Sequence, residues 1–216
     1  MTGARTSAAG QITAAPIVTA RAAQRAPVRA ALRDATHEVH MRMHRLKPFR
    51  AILEARLPLQ EYLGLLQSLG VYHSAIVTVA AQFGLSHLSS GVRRIPLLQA
   101  DLLSLGGSEL RQAVEWKPGS AEEVLGALYA AEGSILGGRV IAGQLDYLLG
   151  SYSTGRSFFV GSPDDGASWR NLLAVVEASC ASAADLKRAT MGALLGFELF
   201  EHCVTSSCFR RPCGRL

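Results

Sequence analysis

Apolar residues recur at steps of three and four along most of the chain. In "ALRDATHEVHMRMHRL" the residues Leu32, Ala35, Val39, Met43 and Leu46 form one stripe, the mark of an amphipathic helix. Pro48 interrupts that pattern, and "FRAILEARL" predicts a short second helix. A third starts at "LPLQEY", where Pro58 suits a first turn whose N–H needs no partner, and runs to Gly84. "VRRIPLLQADLLSLGG" predicts a fourth, closed by Gly106 and Gly107. Ser120 with Glu123 makes a capping box that opens a long helix, "AEEVLGALYAAEGSILGGRVIAGQLDYLLG". After the loop "STGRSFFVGSPDDGAS" come "WRNLLAVVEASC" and "AADLKRATMGALLGFELFEHC". Runs of alternating β-branched residues bounded by turn pairs are nearly missing, and no internal repeat is visible. The expected fold is an all-α, multi-helix bundle.

Two segments ask for more than a bundle. The first helix carries His37, His40 and His44, which at about 100° per residue share one broad sector beside the apolar stripe. A di-iron bundle would use Glu-x-x-His pairs, and the nearest approach here is Asp34-x-x-His37. One imidazole on a bundle helix is also how a protein holds haem iron from one side. Any of the three equally suits a wet helix face. The second segment is "EGSILGGRVIAG", where Gly133, Gly137 and Gly138 interrupt a strong helix and together forgo about 3 kcal/mol of helix propensity. Close helix–helix packing through Gly133-x-x-x-Gly137 is one explanation. The other is a flat, rigid ligand lying against bare backbone, on a helix that can kink at its glycines. Together the two segments describe an axial histidine facing a glycine-rich helix across a planar macrocycle, with room for a small sixth ligand such as O2.

Charge adds little to this picture once it is located. The formal net charge is +5, but residues 1–33 hold Arg5, Arg21, Arg25, Arg29 and Arg33 and no acid. Setting those five aside leaves 17 basic residues against 17 acidic ones, so the body of the chain is neutral and nucleic acid is not an expected partner. We expect residues 1–27 to be a flexible basic extension, 28–204 a helical domain, and 205–216 a tail. Cys203, Cys208 and Cys213 sit at five-residue steps near that tail, wider than zinc knuckles use, and read as reduced thiols of a cytoplasmic protein. No uninterrupted apolar run reaches the ~18 residues a bilayer span needs, so no membrane span is expected.

The chain resembles the haem oxygenase family, in its bacterial, phytochrome-associated form, over roughly residues 28–203. "LRDATHEVH" is similar to the family's proximal-helix motif, whose closing histidine binds haem iron; that position is His40. The resemblance makes His37 and His44 neighbours and Arg33, seven residues earlier, a partner of a haem propionate. "GSILGG" is similar to the family's distal segment, so Gly133, Gly137 and Gly138 inherit the haem-facing role. "FFVG" with "SWRNLL" is similar to the later stretch that adds basic propionate contacts, with Arg170 at the matching position. "LLGFELFEH" resembles the closing helix. Ser134 stands where many members carry an aspartate that organises proton-delivering water, and a hydroxyl is a much poorer acid.

What the resemblance implies is an oxidoreductase in which haem is both cofactor and substrate and O2 the co-substrate. The products are biliverdin, CO and ferrous iron. Electrons come from outside, since there is no Gly-x-Gly-x-x-Gly after a strand and no cluster-spaced cysteines; a ferredoxin or flavin-type reductase is the implied donor. A bacteriophytochrome is an implied recipient of the pigment. Two alternatives keep the scaffold: a non-catalytic haem carrier or sensor, which Ser134 makes reasonable, and a non-haem metal oxidase.

Overall fold

A computed structural model describes residues 27–206. The arginines before residue 27, with Cys208 and Cys213, lie outside the described residues. The helices are α1 (Val28–Met43), α2 (Lys47–Leu53), α3 (Leu59–Gln82), α4 (Gly91–Ser104), α5 (Ala121–Gly133), α6 (Ile135–Gln144), α7 (Asp146–Leu149), α8 (Ser157–Val160), α9 (Asp165–Ser179) and α10 (Ala183–Ser206), with a 3-10 turn at Ser86–Leu88. No strand occurs among the described residues, and the all-α bundle is the observed fold.

The core forms where α3, α5 and α10 meet. α3 is buried almost all round, through Tyr62, Leu65, Leu66, Leu69, Tyr72, Ile76 and Val79, as expected for a helix with no wet face. α5 and α10 make the most extensive helix pair, and small residues let them approach. A β-carbon on Gly126 would overlap the Ala189 carbonyl, and one on Gly192 would overlap that of Glu123. α3 and the stretch Ala121–Gln144 are long and apolar enough to cross a membrane by length and composition, yet 78% and 59% of those windows are buried inside the fold. Their apolarity is accounted for by the core.

α1 lies across the bundle against α9 and α10 and is held at both ends. Pro27 offers its first turn no capping side chain, so Glu177 of α9 supplies one: its two oxygens accept the Val28 and Arg29 N–H groups, each at 2.9 Å. Near the other end, Arg42 donates to both carboxylate oxygens of Glu201 on α10.

Several elements differ from the sequence expectation. The buried stripe of α1 is Val28, Leu32, Thr36, Val39 and Met43, while Ala35 is exposed. Thr36 is tolerated there because its hydroxyl donates to the Leu32 carbonyl at 2.8 Å. α1 ends at Met43, and Pro48 opens α2 instead of breaking a helix. Pro58 is the N-cap of α3 and sits just before its first turn. The capping box is present: Ser120 accepts the Glu123 N–H, and the Glu123 carboxylate accepts that of Gly119. The long helix it opens is broken into α5, α6 and α7, at Ser134 and Leu145. The segment expected to be a loop contains α8, and α10 continues past residue 204 to Ser206.

Candidate functional site

A cleft separates α1 from the α5–α6 break. Its larger part, about 270 Å³, is walled mainly by apolar and aromatic side chains, among them Phe49, Tyr72, Phe158, Phe159 and Phe200. A smaller part, about 170 Å³, lies toward α9 and is lined by Arg33, His37, Tyr129 and Trp169. His40, Ala130, Gly133, Ser134 and Phe197 line both parts, so the two lie side by side along the same residues.

His40 is the member of the histidine trio that faces both parts of this space. Its ring meets His44 edge to face at 4.7 Å and Phe197 at 6.0 Å. It is exposed by area, yet partial desolvation lowers its basicity, and the neighbouring charges of His44 and His37 lower it further. A neutral imidazole with an available lone pair is what an axial ligand to iron requires. His44 lines only the larger part and His37 only the smaller. Among the described residues no group of three or more His, Cys, Asp or Glu side chains is placed to hold a bare metal ion.

The glycines of the α5–α6 break differ in what surrounds them. A β-carbon on Gly137 would meet nothing within 4 Å, and one on Gly133 would meet only the Trp169 ring, from 3.5 Å. Gly137 therefore presents bare backbone to open space, and Gly133 presents it to the Trp169 ring at ordinary contact distance. Gly138 differs: a β-carbon there would stand 3.0 Å from the Phe159 carbonyl oxygen, so its missing side chain makes room for α8. All three glycines line the larger part of the cleft, and Gly138 is in addition packed against the backbone of α8. The close-packing glycine of α5 is Gly126. Ser134 forms the break itself, and its hydroxyl donates to the Ala131 carbonyl at 2.7 Å. That proton is engaged, and the oxygen lone pairs remain available.

The two expected basic contacts are placed differently. Arg33 is at the mouth of the smaller part, with a 70% exposed side chain paired to Asp34 at 3.1 Å. Arg170 is exposed and lines neither part; its neighbour Trp169 does, packed against Tyr129 with ring centroids 5.4 Å apart.

Sequence reasoning missed two polar residues of the larger part. His73 is buried between Tyr72 and Phe158, and burial, aided by the Arg94 charge, pushes its pKa down to about 3. Arg94 is only 2% exposed; it pairs with Asp165 at 3.4 Å, donates to the Phe158 carbonyl and stacks over the Phe158 ring at 4.5 Å. Burial makes Arg94 a weaker base, and Asp165 and Glu132 oppose that shift. A signal existed for Arg94. Gly91, Arg94, Leu98, Asp101 and Leu102 recur at helical steps and form the buried face of α4. For His73 the signal is one polar ring inside the apolar run "GVYHSAIV".

Fold and cleft together define an all-helical protein whose cleft is lined by His40 of α1 and by the glycines and Ser134 of the α5–α6 break. No family model matches the chain. A haem oxygenase of Xanthomonas campestris pv. campestris (strain 8004) is 37% identical over 115 residues, covering 53% of this chain and 68% of the relative. Two solved structures share the fold at 18% identity. One is the NO- and CO-bound haem oxygenase of Neisseria meningitidis, with a TM-score of 0.64 over 89% of this chain and 100% of that one. The other is haem oxygenase-1 of the cyanobacterium Synechocystis sp. PCC6803 in complex with haem, with a TM-score of 0.67 over 83% of this chain and 91% of that one. The chain belongs to the haem oxygenase family.

Proposed function

We propose that this chain is a catalytic haem oxygenase, which cleaves haem to biliverdin, CO and ferrous iron with O2 and electrons from an external donor. The observation that carries the reading is the cleft that His40, an imidazole whose basicity is lowered by partial desolvation and by its histidine neighbours, lines together with Gly133 and Gly137. Bound there, haem would supply the iron that activates O2 and would itself be the ring that is opened.

The residues of this chain have separable tasks in that reaction. His40 would give its lone pair to the iron, and the two ties on α1, through Glu177 and Glu201, hold the helix that aims it. Gly133 and Gly137 keep the opposite face low enough for a small gas ligand. Ser134 accepts rather than donates, because its proton is committed to Ala131, so it would orient a water without being the acid. The phenylalanines around the larger part exclude bulk water. Arg33, at the mouth, suits a propionate through paired charge-assisted hydrogen bonds. Arg170 would join it only after its exposed side chain turns toward the same edge as Trp169. Electron delivery by a ferredoxin or flavin-type reductase, transfer of the pigment to a bacteriophytochrome, and a cytoplasmic setting complete the reading; the buried thiols Cys180 and Cys203 fit a reducing compartment.

Haem titration of the purified chain tests this directly. The expected result is a Soret band of histidine-ligated haem, converted to the biliverdin spectrum when a reductase or ascorbate is added under O2. His40→Ala should abolish conversion and recover it with added imidazole, while His44→Ala should remain active. A stable haem complex that never yields biliverdin would identify a carrier or sensor instead, and loss of activity in His44→Ala with retention in His40→Ala would overturn the axial assignment.

A further inference from the structure

The break between α5 and α6 has no side-chain bulk of its own to fix its angle. It consists of Gly133 and Ser134, closed by a tight turn in which the Gly137 N–H donates to the Ser134 carbonyl at 3.1 Å. Kinks at small residues take whatever angle their surroundings impose. The residue immediately before the break is Glu132, which is 3% exposed on an otherwise apolar face of α5. A buried carboxyl group is costly unless its lone pairs are satisfied.

Here the satisfaction comes from α4. Glu132 Oε1 accepts the Ser90 N–H at 2.9 Å and the Ser89 hydroxyl at 3.3 Å. Ser90 is the N-cap of α4 and caps it with no side-chain hydrogen bond of its own, so Glu132 supplies an acceptor at the positive end of that helix. One turn further along α4, Arg94 adds its charge and reaches Asp165 at the start of α9 and the Phe158 carbonyl of α8. α8 in turn lies against Gly138, just after the break. Glu132 on one side and Gly138 on the other are thus both referred to α4, and Gly133, Ser134 and Gly137 fall between these two anchors. Glu132 does not line the cleft, which separates it from the groups that would touch a ligand.

We propose that Glu132 is a positioning residue of the distal wall, whose carboxyl group ties the α5–α6 break to the first turn of α4 and so sets where Gly133 and Ser134 stand over the bound macrocycle. This rests on the haem reading above and adds to it a residue that acts only through others. An acceptor at that position is the requirement; a negative charge is not.

The test compares Glu132→Gln, Glu132→Ala and Ser90→Pro in the full chain. Ser90→Pro removes the N–H that Glu132 accepts, at a residue whose φ of −72° suits proline and which follows an extended Ser89 with ψ of 123°. Three quantities are read: apparent haem affinity, the pH at which ferric haem exchanges its water spectrum for a hydroxide spectrum, and thermal unfolding of the haem-free chain. Glu132→Ala should bind haem about tenfold more weakly, as for one lost buried hydrogen bond to a carboxyl group, and should shift the water-to-hydroxide transition. Ser90→Pro should reproduce both effects, and the double variant should add little to either single one. Glu132→Gln, whose amide oxygen still accepts, should stay within about twofold of the parent. The idea is overturned if Glu132→Ala only lowers the unfolding temperature while affinity and transition stay at parent values, or if Glu132→Gln is as impaired as alanine. Should Glu132→Ala not fold, Ser90→Pro and Glu132→Gln still decide between these results. Failure of the haem reading would look different, because the parent itself would then show no Soret band.

Discussion

Gly126 on α5 and Ala189 on α10 meet backbone to backbone, so closely that a β-carbon on Gly126 would overlap the Ala189 carbonyl oxygen. One turn further along α10, Gly192 stands in the same way against Glu123. Neither chain segment can retreat without opening the core. Gly137 has the opposite surroundings, with open space where its side chain would be. We expect Gly126→Ala to destabilise the haem-free chain by about 3 kcal/mol, the upper end of ordinary overpacking, because the obstacle is backbone. Gly137→Ala should be neutral or stabilising by up to about 1 kcal/mol, the helix propensity regained. Gly137→Leu should keep the fold and block haem. Urea unfolding and haem titration of the three variants check this, and normal haem affinity in Gly137→Leu would remove Gly137 from the site.

His73 gives the chain an acid sensitivity that can be isolated. Its folded-state pKa is depressed from 6.5 to about 3, mainly by burial, so below pH 6.5 the unfolded chain binds a proton that the folded chain refuses. The stability it allows is complete above pH 6.5 and is lost progressively as pH falls toward 3. By pH 5 the loss should be about 2 kcal/mol, at about 1.4 kcal/mol per pH unit for one proton. Glu132 contributes with the opposite sign, since burial raises its pKa and the folded state then holds the extra proton. The difference between parent and His73→Leu stability curves cancels that term. A parallel pair of curves between pH 7 and pH 5 would show that His73 charges freely in the fold.

The helical bundle was legible because α3, α5 and α10 bury stripes or whole surfaces at helical spacing, and burial of that kind leaves its period in the residues. His40 was singled out in the sequence only through family resemblance; spacing alone did not separate it from His37 and His44, and it is the fold that sets it between the two parts of the cleft. The break at Ser134 was half legible. Three glycines marked a weak helix, but which of them stood against open space and which against α8 depended on where Phe159 falls, and that is a tertiary fact. Thr36 replaced Ala35 in the buried stripe because a local hydrogen bond satisfied its hydroxyl, something hydropathy does not register. Arg170 was expected at the cleft by position, but a long exposed side chain goes where solvent and neighbours send it.

Asp101 connects α4 to the cleft through two hydrogen bonds. Its carboxylate is 1% exposed and accepts the Ser157 N–H at 2.9 Å and the Phe158 N–H at 2.8 Å, which caps the four-residue α8. A helix that short has almost no stability of its own. Its two phenylalanines nonetheless wall the cleft, and its backbone is what Gly138 rests against. Asp101→Asn keeps the shape, but its amide nitrogen, a donor, then faces one of the two N–H groups, leaving that group buried and unsatisfied. The expected cost is about 2 kcal/mol in urea unfolding. Hydrogen exchange should locate it: amides of residues 157–160 should lose protection in Asp101→Asn far more than those of α3, and haem affinity should fall with them. If exchange at 157–160 stays at the parent rate while global stability drops, Asp101 serves the core alone, and α8 must be held over the cleft by Arg94 and the packing of its phenylalanines.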